Sequence, residues 1–479
     1  MKKTGYFIGL LITLSVSAQD KTAIKFAKTI TAADLESHLS VLASDEYEGR
    51  ETGEKGQKMA AGYIAKHFEK LGFEAPVDGS YLQKFDLVQS QIGKVYLQKE
   101  GEEKIGFKDF LYYSKAETMG EEYIKVVMAS RKSDKKLFKD AYVVFVSEEF
   151  EDFRAFIEEA KEADAKGFMM ILQDDEAYES LLSRVGPYFQ RPGMGVRDNE
   201  AAKLIVGNAD LAGWMFGKPL GEIEEGATTY LVFNADYLDK PVSTENVLGF
   251  LRGSEKPEEV LVITSHYDHI GVIDGEINNG ADDDGSGTVT VLEIAEAFAE
   301  ASKKNKGPKR SILFMTVTGE EKGLLGSKYY TDADPIFPLE HTVANLNIDM
   351  VGRIDPAHEE NPEYIYLIGS DKLSTALHHL SERMNKTYTH LELDYTYNDE
   401  NDPNRFYYRS DHYNFAKNNV PIIFYFNGTH PDYHRPTDTI EKIAFQIMEK
   451  RARLIFHTAW EIANRGERIK VDKVEVRGE

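Results

Sequence analysis

Val260-Leu261-Val262-Ile263-Thr264, followed at once by Ser265-His266-Tyr267-Asp268-His269, is the stretch that decides the fold. Its apolar residues do not alternate with polar ones, so it reads as a strand buried on both faces. At its C-terminal end the chain turns abruptly to imidazole and carboxylate. The same event recurs three times downstream. Residues 311–317 (SILFMTV) run into Thr318-Gly319-Glu320-Glu321-Lys322-Gly323, 344–348 (ANLNI) into Asp349-Met350, and 421–426 (PIIFYF) are followed by His430-Pro431-Asp432-Tyr433-His434. Helical stretches at 287–301 and 373–384 lie between several of these runs. Apolar strands alternating with helices predict an α/β fold, a doubly wound, mostly parallel sheet with helices on both faces. Ligands of such sheets bind beyond the carboxyl ends of the strands, where these polar residues collect.

Working outward, 33–42 and 56–71 carry apolar residues at helical spacing, the second stopping at Gly72, with a polar connection over 44–50. Between 90 and 235 short β-like runs at 141–146 and 167–172 flank an acidic helical stretch at 150–165, and no histidine occurs. That segment reads as a smaller α/β insert with a solvated acidic helix. The expected organisation is a leader over 1–18, an N-terminal helical part of the main domain over 19–90, the insert over 91–240, the main domain over 241–465 and a charged tail over 466–479.

The 479 residues carry 57 Lys+Arg against 81 Asp+Glu, a net charge of −24, which excludes a protein that holds nucleic acid through a basic face. With no cysteine, disulfides, thiolate nucleophiles and thiolate metal sites are excluded together. Lys2 and Lys3, the apolar run 6–14 and Val16-Ser17-Ala18 before Gln19 read as a cleaved export signal, so a periplasmic or secreted chain is expected. Losing the two lysines takes the net charge from −24 to −26. No later segment is long and apolar enough to span a bilayer.

Many carboxylates at one rim repel each other unless a cation sits among them. Without thiols the suited ion accepts nitrogen and oxygen, most often zinc. Two such ions about 3.5–4 Å apart form a known hydrolytic arrangement. Alone, the Asp282-Asp283-Asp284 run would be a helix cap or turn, and Glu320-Glu321 surface charge. The ordered set argues otherwise.

That set resembles peptidase family M28, the co-catalytic zinc aminopeptidases, over roughly 240–465 and the N-terminal helices. The matching residues are His266 with Asp268 two positions on, Asp283 in Gly-Ala-Asp-Asp, the pair Glu320-Glu321, Asp349 before Met350, and His434 after an aromatic. The resemblance implies two zinc ions per chain. His266 and Asp349 would hold one, Glu321 and His434 the other, and Asp283 would bridge. It further implies Glu320 as general base toward a hydroxide held by the metals, Asp268 orienting His266, and Tyr433 hydrogen-bonding the oxyanion. Ser410, Asp411 and His430 are expected near the substrate, a peptide losing its N-terminal residue. An arginine at 405 or 409 facing the site would favour carboxylate-bearing substrates. The insert resembles a protease-associated domain in position and strand pattern. A carboxypeptidase or dipeptidase shares the metal core, a glutaminyl cyclase shares the fold, and a receptor-like binding protein on this fold would have lost its ligands. Ser410-Asp411-His412 cannot form a triad from three consecutive residues, and neither Gly-x-Ser-x-Gly nor His-Glu-x-x-His occurs. His269 and His412 are near misses, and His378-His379 reads as surface.

Overall fold

The computed structural model describes residues 19–114, 120–147, 149–196 and 202–473; the expected leader over 1–18 and the last part of the expected tail, 474–479, lie outside these. The described residues form two compact units, one from 19–85 with 244–473 and one from 86–243.

The first unit is built on strands β1 (Thr228–Leu251, through its last residues), β2 (Lys256–His266), β3 (Arg310–Val317), β4 (Thr342–Ile348), β5 (Tyr364–Ile368), β6 (Glu392–Asp394) and β7 (Ile422–Phe426). Their order across the sheet is β6-β5-β7-β4-β2-β3-β1. The four strands read from the apolar runs, β7-β4-β2-β3, are contiguous and parallel, so their carboxyl ends share one rim. β1 and β5 run antiparallel to their neighbours β3 and β7. Leu261 and Ile263 of β2 enter one apolar cluster, and Val260 and Val262 enter the cluster on the opposite face. The doubly buried sheet predicted from the unalternated runs is what forms.

Helices α1 (Lys21–Ala27), α2 (Ala32–Leu42), α3 (Lys55–Leu71), α4 (Gly287–Lys303), α5 (Thr375–Met384) and α6 (Phe445–Asn464) supply the larger cluster. Thr31 starts α2 as its N-cap: its Oγ1 accepts from the Asp34 N–H at 3.2 Å and donates to Asp34 Oδ2 at 2.6 Å. Ala60, Ile64 and Phe68 on one stripe of α3 are buried, and α3 ends on Gly72 at φ +80°, a left-handed cap suited to glycine. The two ends of the chain meet here. Trp460 of α6 stacks on Phe26 of α1 and on Phe298 of α4, and its Nε1 donates to Asp20 Oδ2 at 2.9 Å. Among the described residues no helix is long and apolar enough to cross a membrane.

In the second unit the strands are ordered 228–235, Gly120–Ala129, Ala141–Val146, Gly167–Leu172, Leu204–Asn208, Leu111–Tyr113, with the four inner strands parallel. The helix expected at 150–165 spans Phe150–Lys161. It is not solvated all round, because Phe153, Phe156 and Ala160 pack into this unit's core.

Inside the first unit His457 of α6 is 4% exposed, stacked on Tyr388 with centroids 3.8 Å apart, and burial pushes its pKa down to about 4. The native state therefore binds this proton less readily than the unfolded chain, and stability is lost as pH falls from the unfolded value toward about 4. The cost is on the order of 3 kcal/mol at full protonation of the unfolded ring. A His457→Phe variant should lose less Tm than the parent between about pH 7 and pH 4.5, read by calorimetry.

Candidate metal centre

At the rim, the turn after β2 begins with His266 and the turn after β4 with Asp349, while Glu320-Glu321 follow β3 and His434 follows β7. The Asp282-Asp283-Asp284 run precedes α4, and the three aspartates point three ways. Asp284 accepts N–H bonds from Gly287 at 2.8 Å, Met350 at 3.0 Å and His266 at 3.2 Å, tying the start of α4 to two strand ends. Asp282 accepts from Gly352 N–H, Ser286 Oγ and Asn427 Nδ2. Asp283 faces the rim. Gly287 is required at the helix start, since a Cβ there would lie 2.3 Å from Asp284 Oδ1 and 2.5 Å from the Ile348 carbonyl.

Asp283 offers its oxygens in opposite directions. Its Oδ1 lies 3.3 Å from His266 Nε2, which is also 3.6 Å from Asp349 Oδ1 and 3.8 Å from Glu320 Oε2. Its Oδ2 lies 3.0 Å from His434 Nε2, which is 3.1 Å from Glu321 Oε2. Ligand atoms each bonded at ~2.0–2.2 Å to one tetrahedral zinc are separated by roughly 3.4 Å, so both groups have the spacing of a coordination shell. Asp283 Oδ2 is buried without an aligned hydrogen bond. Imidazoles, carboxylates and no thiol form a donor set that fits zinc.

The electrostatics follow the same division. Burial would raise the Asp283 carboxyl, yet the imidazoles of His266 and His434 hold it well below the usual range. Burial raises Glu320 well above its ordinary value, opposed by His266 and reinforced by Glu321 and Asp349. The Tyr433 phenol is pushed up by burial and then by Asp283, Glu321 and Glu320, so it stays protonated and able to donate.

His266, Asp283, Glu320, Asp349, Ser410, Arg409 and Tyr433 line one cavity, with Phe406 and Phe424 as apolar wall. The expected roles of some residues change. Asp268 does orient His266, but through its main chain: His266 Nδ1 lies 3.1 Å from the Asp268 carbonyl oxygen and 3.8 Å from the carboxylate. That carboxylate instead accepts from Thr52 Oγ1 at 2.8 Å and from the Glu320 N–H at 3.3 Å. Ser410 lines the cavity and donates to Asp349 Oδ2 at 2.6 Å, while accepting from Asn347 Nδ2 at 2.9 Å. Asp411 and His430 do not line it. Asp411 is fully buried, accepts from Ser327 Oγ, and burial pushes it up to about 7. His430 Nε2 lies 3.2 Å from Asp282 Oδ2. Both are buried supports, Asp411 through Ser327 and His430 through Asp282.

His269 is the residue that sequence reasoning passed over. It is fully buried, its Nδ1 lies 2.9 Å from Glu321 Oε1 and 3.7 Å from Asp283 Oδ2, and its Nε2 has no hydrogen-bond partner. Two imidazoles, His269 and His434, therefore approach Glu321. Its position three residues after His266 on the same strand end was the available signal. Arg50, read as part of a polar connection, is also fully buried, donating to the carbonyls of Leu42, Tyr267, Asn279 and Gly280.

Fold and site together define an α/β protein with two adjoining groups of nitrogen and oxygen donors at the carboxyl rim of its parallel strands. Residues 246–459 match the model of peptidase family M28. It is 25% identical over 242 residues to aminopeptidase YwaD of Bacillus subtilis, covering 49% of this chain and 48% of the relative. It is 32% identical over 221 residues to a probable leucine aminopeptidase of Arthroderma otae, covering 43% and 55%. A probable zinc metalloprotease of Leptosphaeria maculans is 34% identical over 143 residues, covering 28% and 31%. The chain thus spans about a quarter to a half of the length of the first curated relatives it matches. Among solved structures, an aminopeptidase from Aneurinibacillus sp. strain AM-1 shares the fold with TM-score 0.50 at 16% identity, covering 94% of this chain and 98% of that one. A zinc aminopeptidase from Bacillus subtilis does so with TM-score 0.50 at 18% identity, covering 93% and 98%.

A Ser410→Ala substitution frees one oxygen of Asp349 and should weaken zinc affinity about 10–100-fold without unfolding the chain, measured by chelator competition.

Proposed function

We propose that this chain is a zinc-dependent exopeptidase, an aminopeptidase that removes N-terminal residues from peptides and works with two zinc ions. The single observation that carries the reading is Asp283, one carboxylate with an oxygen toward each of two ligand groups, His266 with Asp349 and His434 with Glu321. The names of the relatives, aminopeptidases and zinc metalloproteases, agree with it.

Bound there, the zinc ions would supply Lewis acidity and lower the pKa of water between them. The chain's own residues do the rest. Glu320 lines the cavity beside the ligands, and burial raises its pKa well above the ordinary value, which suits a group that takes a proton from water and delivers it to the leaving amine. Asp268 fixes Glu320 from behind by accepting its N–H. Tyr433 stands protonated at the cavity wall, a donor for the oxygen on which charge develops. Phe406 and Phe424 exclude water from one side.

Arg409 sets the substrate class. Its guanidinium lies over the Phe406 ring, 4.8 Å from the centroid, and the residue lines the same cavity. A planar cation with a free edge pairs with carboxylates, so acidic first residues, or short peptides with a free terminal carboxylate, are the favoured substrates. The chain acts outside the cytoplasm, exported by the Lys2–Lys3 and apolar 6–14 leader.

A Glu320→Gln variant should keep its zinc and lose about 10²–10⁴-fold in kcat; full activity would sink the mechanism. In the same assays, Arg409→Met should raise KM about tenfold or more for Glu- and Asp-initiated peptides but not for Gln- and Asn-initiated ones. Amidated against free C-termini then separate a side-chain from a terminal carboxylate. For export, the N-terminus of protein recovered from periplasm or medium should be Gln19; an intact Met1 in the cytoplasm overturns it.

A further inference from the structure

Away from the rim, α2, α3 and α4 bring together a second set of nitrogen and oxygen donors. His38 comes from α2, His67 from α3, and Glu293 and Glu296 from adjacent positions on one face of α4. His38 Nε2 is 3.4 Å from Glu296 Oε1 and 3.7 Å from Glu293 Oε1, and His67 Nε2 is 3.3 Å from Glu296 Oε1. The imidazoles meet edge to face, centroids 4.8 Å apart. None of these residues lines the cavity at the rim.

Three features separate this group from an ordinary ion pair. Its nitrogen–oxygen separations exceed those of charge-assisted hydrogen bonds, ~2.7–2.9 Å, and match the roughly 3.4 Å edge of a zinc tetrahedron. His38 Nδ1 is engaged at 2.7 Å with the Tyr63 hydroxyl, which leaves Nε2 turned to the other donors, as an outer partner does for a metal-binding histidine. Two donors are buried without a partner: Glu293, whose side chain is 1% exposed, makes no hydrogen bond at Oε1, and His67 makes none at Nε2. A carboxylate oxygen and an imidazole nitrogen left bare inside a protein each carry a desolvation penalty. Glu296 and His38 keep enough exposure for an ion to enter from solvent.

We propose that His38, His67 and Glu296, with Glu293 behind them, form a separate binding site for a divalent cation of zinc type. The ion clamps α2 and α3 to α4, the helix whose first turn follows Asp283. It holds the N-terminal helices in place and takes no part in hydrolysis.

The test uses zinc alone on the full chain, chelator-stripped, reloaded and desalted, with bound metal counted by mass spectrometry. In a His266→Ala, His434→Ala background that disables the rim, one zinc should remain per chain, and adding His38→Ala and His67→Ala should remove it. With the rim intact, Glu296→Gln should weaken that one site by more than about tenfold while peptide hydrolysis and the remaining zinc are unchanged. Zinc should raise the Tm of the rim-disabled protein and not that of the further variant. Equal zinc content with and without His38 and His67, or none in the rim-disabled protein, overturns the proposal. Because rim zinc is read separately, failure here leaves the peptidase reading standing, and failure of that reading leaves this site standing.

Discussion

Like charge in a confined volume governs this molecule. Asp268, Asp282, Asp283, Asp284, Glu320, Glu321, Asp349, Asp411 and Asp438 come to one rim, buried or nearly so. Most of them are satisfied by the chain itself. Asp284 is covered by three main-chain N–H groups, Asp282 by a glycine N–H, a serine and an asparagine, and Asp438 by the N–H groups of Asp282 and Asp283. Buried Arg50 adds a positive charge close to Asp268 and Asp284, although its N–H groups are spent on carbonyls. Asp283, Glu320, Glu321 and Asp349 are instead grouped around the imidazoles of His266, His269 and His434. Sorting by available N–H groups separates carboxylates that hold the loops from carboxylates open to cations.

The architecture serves that sorting. Parallel strands end together, so four unrelated turns converge without long loops, and each turn's main-chain donors point into the same space. Asp284 then acts as a staple between the start of α4 and the ends of β2 and β4. Gly287 is the steric condition for that staple, because any side chain there would collide with it.

Much of this was legible in the chain because the signals are local. Unalternated apolar runs mark doubly buried strands, and the observed strands begin and end within a few residues of them. Glu321 and Asp349 follow strands β3 and β4 closely, whereas the choice of Asp283, in the turn before α4, and of His434, beyond β7, came from the resemblance to family M28. Other features depend on contacts far along the chain. The burial of Arg50 needs the carbonyls of 267, 279 and 280, more than two hundred residues away, so a polar reading of 44–50 was the natural one. Asp411 and His430 looked like substrate contacts because they adjoin residues that are near the cavity; whether a turn folds over or under a rim is not written in its composition. His38 and His67 read as helix residues until α4 is seen between them.

The two chain ends that meet at Asp20 and Trp460 set a timetable for synthesis. Residues 86–243 are contiguous, so every partner in that unit is available soon after it emerges. The helices before residue 85 belong to a core completed only by α6, which ends near residue 464. At about 5–20 residues per second, the last of their packing partners emerges roughly 20–80 s after those helices do. The hydrogen bond from Trp460 to Asp20 can therefore form only once α6 has been made, and a chain stalled before α6 would carry every residue of the insert beside a main unit still lacking one of its helices.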